Sequence, residues 1–162
     1  MHIKTVDSQS GTTTDLRTGL VWEKLRSGIA IHGRDTVWTL GHAISVKLKT
    51  LNYENYGGYC DWRLPTIYEL LSLIDSGDCM GTSGRYWTFS EESYAGRHAW
   101  FVDIATGAVF ASTQSASHSV RVVRGVALSD LHGRGHLEDK VVYPRLPTKD
   151  RHINVYSKPS KQ

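Results

Sequence analysis

The sequence predicts an α+β domain, two helices packed on a twisted antiparallel sheet with a long loop region, followed by an extended C-terminal arm. Three observations carry this prediction. Residues 57–75 spell out a turn and then a capped amphipathic helix. Segments before and after the helical region alternate apolar and polar residues around glycine turns. Composition then changes near Gly125: all five Trp precede residue 101, whereas Pro144, Pro147 and Pro159 lie beyond it. The predicted boundaries are 1–125 for the domain and 126–162 for a basic, Pro-containing arm.

The elements follow in order. Thr12 to Lys24 reads as a hairpin around Asp15-Leu16-Arg17-Thr18-Gly19, with Leu20-Val21-Trp22 as a buried strand. Gly28 to Gly33 is a loop. Asp35 or Thr36 is placed to cap a first helix, whose apolar stripe is Val37, Leu40, Ile44, Leu48 and Leu51, with Trp38 beside it. Asn52 to Tyr59 reads as a polar, aromatic loop. Pro65 disfavours helix before it and tolerates helix after it. Thr66 and Glu69 have capping-box spacing. Ile67, Leu70, Leu71 and Ile74 then fall on one face of a second helix. Ser76 to Arg85 is a Gly/Ser-rich loop, and Tyr86 to Ser90 is a strand. Ala99 to Ile104 and Ala108 to Ser112 form a hairpin around Ala105-Thr106-Gly107. Ser119 to Gly125 closes the domain as a strand. Val141-Val142-Tyr143 and Ile153-Asn154-Val155-Tyr156 are short strand candidates in the arm.

With 162 residues, the chain is long enough to bury a real core. No apolar run approaches a membrane span. The start, Met1-His2-Ile3-Lys4, lacks a signal-peptide pattern, so the expected location is the cytoplasm of a bacterial cell or phage-infected host. Cys60 and Cys79 are too few for a disulfide scaffold or a four-cysteine zinc site, and reduced thiols are expected. Residues 1–125 carry 12 Lys/Arg and 12 Asp/Glu, so the formal charge of +3 sits entirely in the arm. That is too mild a balance for a dedicated nucleic-acid binder, and direct nucleic-acid binding is not expected.

Four stretches resemble the Lcl C-terminal domain family. They are Thr18-Gly19-Leu20-Val21-Trp22, then Asp61-Trp62-Arg63-Leu64-Pro65-Thr66 with Glu69-Leu70, then Tyr86-Trp87, and finally Ala99-Trp100-Phe101-Val102 through Gly107 to Val120-Arg121-Val122-Val123-Arg124-Gly125. The resemblance covers about residues 12–125. It implies a C-type-lectin-like fold, distantly related to the formylglycine-generating enzyme class. In such a fold the first and last strands are adjacent and a loop region binds a glycan or protein. Family members often carry Cys in the first helix and the last strand. Here the first helix has none and the last strand has Val122, so the family's common disulfide is not expected.

Val120 to Gly125 resembles an Arg-Val-x-Arg-Gly-Gly run of formylglycine-generating enzymes. The close pair of reactive cysteines that such an enzyme needs is missing, and no nucleophile, His and carboxylate set stands out elsewhere. The Glu-Pro-Asn, Gln-Pro-Asp and Trp-Asn-Asp signatures of calcium-dependent lectins are missing too. Asp75 with Asp78, and Glu91 with Glu92, read as solvated carboxylates rather than calcium ligands. His132 and His136 have helical spacing, but Gly133 and Gly135 between them disfavour a helical zinc site. Asp61, Arg63, Arg121 and Arg124 read as structural, with Asp61 and Arg63 satisfying backbone or pairing with one another.

What remains is aromatic and basic surface. Tyr53, Tyr56 and Tyr59 cluster before the second helix. Tyr94, Arg97 and His98 lie in the later loop, and Arg134, Lys140, Arg145 and Arg151 punctuate the arm. Tyr and Arg are enriched at binding hot spots. The sequence therefore points to a non-enzymatic protein-binding module without metal or cofactor. Its expected partner is a host or virion complex. One setting is a phage or mobile-element protein inhibiting a host defence complex of the CRISPR type (an anti-CRISPR). Another is a virion or tail component, with homo-oligomerisation through the arm. A third is a glycan-binding, adhesin-like domain that recognises sulfated polysaccharide. No membrane partner is expected.

Overall fold

A computed structural model describes residues 5–7, 10–28, 30–75, 84–89 and 98–126. The chain is α+β, with helices packed against two sheets rather than one. The first sheet has the order β1-β2-β3-β9, built from Thr5–Asp7, Thr12–Asp15, Val21–Glu23 and Val123–Arg124, all antiparallel. The second has the order β4-β8-β5-β6-β7, built from Val37–Trp38, His118–Ser119, Arg85–Trp87, His98–Asp103 and Val109–Thr113. Its one parallel pairing among the described residues joins β5 to β8, with Tyr86 opposite Ser119.

The expected final strand is thus two short strands in different sheets. Val120, Arg121 and Val122 lie between them and are buried. They carry the chain from the five-stranded sheet to the four-stranded one, where β9 pairs with β3. The last strand therefore neighbours β3, while the first strand, β1, lies at the opposite edge of the sheet, so the adjacency the resemblance implies holds for β3 rather than for β1. The far side of β9 is covered by an antiparallel bridge, with Arg63 and Val123 exchanging both backbone hydrogen bonds at 2.9 and 3.0 Å.

The third helix, α3, spans Ile67–Asp75. Its start is the expected capping box. Thr66 Oγ1 accepts from Glu69 N–H at 3.2 Å, and Glu69 Oε2 accepts from Thr66 N–H at 2.8 Å. Its last turn is held from outside, because Arg17 donates to the Ser72 carbonyl at 2.8 Å and pairs with Asp75. Carbonyls there have no partner within the helix. Arg17 also pairs with Asp15, so the first hairpin is fastened to the helix end. Leu70, Leu71 and Leu73 pack with Leu20, Trp22, Tyr86, Trp100 and Val102, and each fully buried Leu contributes about 1.5–3 kcal/mol.

The first helix departs from expectation. Val37 and Trp38 form β4, and helix begins after Thr39, whose side chain accepts from His42 N–H. A short α1 (Leu40–His42) runs into a π-helical stretch, Ala43–Leu48, and then into α2 (Lys49–Tyr53). The wider π turn changes which residues face inward. Of the expected stripe, Leu51 is fully buried and Leu40 and Leu48 pack against the core, but Val37 and Ile44 are exposed, and Ala43 and Lys47 are fully buried instead. Among the described residues, no helix is long and apolar enough to cross a membrane.

Candidate binding pocket

The aromatic residues singled out from sequence separate into three environments. Tyr53, at the end of α2, is 87% exposed. Tyr56 is half-buried, stacks on His32 with ring centroids 4.3 Å apart, and donates to the Gly11 carbonyl at 2.8 Å. A side chain at position 11 would collide with that hydroxyl. Burial, with the Glu23 carboxylate adding to it, raises the Tyr56 pKa, so the phenol stays a donor. Tyr56 is therefore a brace. Tyr59 meets Trp62 edge-on and lies beneath the Arg124 guanidinium, 4.2 Å from its ring centroid. His98 opens β6 and lines a pocket. Tyr94, Arg97, Arg134, Lys140, Arg145 and Arg151 lie outside the described residues, as do Cys79, His132 and His136.

The segment that carries the resemblance is a set of clamps. Asn52 accepts from Trp62 N–H and donates to the Trp62 carbonyl, at 2.7 and 2.9 Å. Trp62 Nε1 donates to the Tyr56 carbonyl. Arg63 grips Glu69 with two nitrogens, at 2.7 and 2.8 Å, and also reaches the Gly125 carbonyl. Asp61 pairs with Arg124 at 2.8 and 3.0 Å. Arg124's hydrogen bonds hold the Asp61 carboxyl below the usual carboxylate range, and Asp61 in return raises Arg124. The structural reading of Asp61 and Arg63 stands, with one correction: they pair with Arg124 and Glu69 rather than with each other.

A buried ionic cluster, without a counterpart in the sequence pattern, lies at the crossing between the sheets. Lys47 and Glu23 are both fully buried, with Nζ 2.9 Å from Oε2. Lys47 also donates to the Val120 carbonyl, and His32 Nδ1 lies 2.8 Å from Glu23 Oε1. Arg121 donates through Nε to the Glu23 carbonyl, and its guanidinium lies over Trp22. Burial lowers the Lys47 pKa, opposed by the charge and hydrogen bond of Glu23. Glu23, Lys47, His32 and Arg121 are each engaged with a neighbour.

The pocket lies on the five-stranded sheet, against the β6–β7 hairpin and His118. It has a volume of about 420 Å³, lined by Arg85, His98, Phe101, Phe110, Ala111, Ser112, Thr113 and His118. The hairpin register sets Phe101 directly opposite Phe110, and their rings stack with centroids 5.4 Å apart. Gly107, at φ 70°, supplies the turn that fixes this register. His118 lies 4.2 Å from the Phe101 centroid, with the Trp87 ring edge-on to it at 4.4 Å. Trp87 is itself fixed by donating Nε1 to the Trp38 carbonyl at 2.7 Å.

Ser112 Oγ lies 2.9 Å from His118 Nε2, the distance of a nucleophile from its base. The imidazole is poorly suited to that task. Burial, helped by the nearby Arg85 charge, lowers its pKa to about 4. Among the described residues no carboxylate pairs with it. What the pair does supply is a fixed, neutral, ring-shaped wall.

The sequence profile of the Lcl C-terminal domain matches residues 11–124, from the start of the first hairpin to the end of β9. The chain belongs to the Lcl C-terminal domain family. A search of curated proteins returns no match. Within this Lcl C-terminal domain, the matched span contains every residue described around the pocket and the buried cluster. Phe101 and Phe110 could have been found from sequence, because the alternation around Gly107 already places them on one face. His118, which follows a turn, left no such signal.

Proposed function

We propose that this chain is a non-enzymatic protein-binding module, and that the pocket over Phe101 and Phe110 is where its described part engages a partner. The observation that supports this most is the pocket's wall. It includes the rings of Phe101, Phe110 and His118, packed on one another and backed by Trp87, which offer contact area at little conformational cost. Arg17, Arg63, Arg121 and Arg124 are committed to bracing the fold, so the charged groups are not gathered for chemistry. The basic, Pro-containing arm supplies a second contact. The setting we favour is a phage or mobile-element protein that inhibits a host defence complex of the CRISPR type. A virion component and a binder of sulfated glycan are the alternatives.

The test is an affinity capture from host lysate with three full-length proteins: the native chain, Phe110→Asp, and a variant with Arg134, Lys140, Arg145 and Arg151 changed to Ala. One stoichiometric protein, lost with Phe110→Asp, is expected. Coat or tail proteins in its place would identify a virion component. Retention on heparin resin with no protein captured would overturn the reading in favour of glycan.

A further inference from the structure

We infer that the pocket is built for an apolar or aromatic side chain with a carboxylate beside it, in a short acidic segment of a partner protein. This rests on the protein-binding reading above. Three observations lead to it.

The first is size. Ligand pockets span roughly 300–1,000 Å³, and this one, at about 420 Å³, sits near the lower end. It suits one ring or branched aliphatic group better than a chain of sugars. The second is the floor. Phe101, Phe110 and His118 present ring faces and edges, and Trp87 backs them. The only described polar contact of the His118 ring is with Ser112. The floor therefore favours an apolar insert.

The third is charge. Arg85 is the permanent cation among the lining residues, its guanidinium carbon 5.8 Å from the Phe101 centroid. Its closest described acid, Asp103, is 3.6 Å away, beyond hydrogen-bond length. Asp103 is also used to accept from the Ala105 N–H. Among the described residues, no hydrogen bond engages the Arg85 guanidinium, and its side chain is 61% exposed. A guanidinium fork with unused donors beside an apolar well is complementary to a carboxylate next to the anchoring side chain. A basic neighbour would be repelled there.

The experiment is selection of a random short-peptide display library on the full-length protein, repeated on Arg85→Glu and Phe110→Asp. Enriched peptides are expected to carry an aromatic or large aliphatic residue with Asp or Glu within two positions. A synthetic enriched peptide should bind about tenfold more weakly to Arg85→Glu, the loss of one charge-assisted contact. Selection on Arg85→Glu should instead return Lys- or Arg-flanked anchors, an inversion that a merely structural arginine would not give. Arg85 is exposed enough for this variant to fold. Enrichment without acidic neighbours, an unchanged preference on Arg85→Glu, or no enrichment at all would overturn the inference. A lysate protein that Phe110→Asp still captures, together with no enrichment, would sink the pocket's ligand and leave protein binding intact elsewhere. Neither capture nor enrichment would sink both.

Discussion

At the crossing between the sheets, ionised side chains are buried and mutually satisfied. On the pocket face, rings are buried while the cation is left outside. Glu23 of β3 meets Lys47 of the first helix, His32 of the intervening loop and the Val122 N–H of the late crossover. Three other segments converge on one carboxylate. Arg85, in contrast, has one acid at 3.6 Å and open solvent. The difference separates polar groups that locate chain segments from a polar group that remains available. Buried ion pairs stabilise little against apolar replacements, but breaking one side of such a pair is costly.

That cost gives the largest expected effect. Lys47→Met strands the Glu23 carboxylate and should destabilise the chain by about 3–5 kcal/mol in urea unfolding. The double change Glu23→Gln with Lys47→Met should cost clearly less than the sum of the single changes. Additive costs would show that the two charges do not act as a pair, and would remove the contrast between the regions.

His118 tests the other side. Its folded-state pKa, near 4, lies below the ordinary histidine value of 6.5. Between those values the unfolded chain binds a proton that the folded chain refuses, so stability falls as pH drops from about 6.5 to about 4. The full shift corresponds to about 3 kcal/mol. Unfolding free energy measured across that window should show this slope, and His118→Gln should flatten it. An unchanged slope would mean that the ring is not held neutral by the pocket wall.

How far the sequence discloses these regions depends on the range of the interactions. The helix α3, the second helix expected from the sequence, is legible because its signals are local. Pro65, Thr66 and Glu69 act within a few residues, and the structure makes the two reciprocal hydrogen bonds that their spacing implies. The first helix is misread for a physical reason. A stripe drawn at the α-helical period places Leu51 correctly but also selects Ile44, whereas within the π turn Ala43 and Lys47 are the buried residues, and Val37 belongs to β4. A lysine counts as a surface residue unless its partner is known, and Glu23 lies on a different element. The closing strand is misread similarly. Its valines encode extended, buried chain, while the switch between sheets depends on contacts of Arg121 and Val120 with β3 and the first helix. The pocket is half legible: the sequence singles out His98 and implies the hairpin that juxtaposes Phe101 and Phe110.

Smaller effects sharpen the comparison. Thr66→Ala removes one half of the capping box while Arg63 continues to hold Glu69, so a loss of about 1 kcal/mol is expected in thermal or urea unfolding. A loss several times larger would place the α3 start among the structures that decide the fold, beside the Glu23 cluster.

The smallest expected effect concerns Asp61 and Arg124, which resemble the buried pair in geometry and differ from it in exposure. Their contact is bidentate, yet the Asp61 side chain is 55% exposed. Solvent screens such a pair, and Asp61→Asn should cost under about 1 kcal/mol. The sign with pH follows from the lowered Asp61 pKa. The contribution is present above the unfolded carboxylate value and is lost as pH falls through the folded one. Adding salt should shrink the difference between native chain and variant, whereas the Lys47→Met deficit should persist, because charges shielded from water are screened far less. Equal salt sensitivity at the two sites would mean that burial is not what distinguishes them.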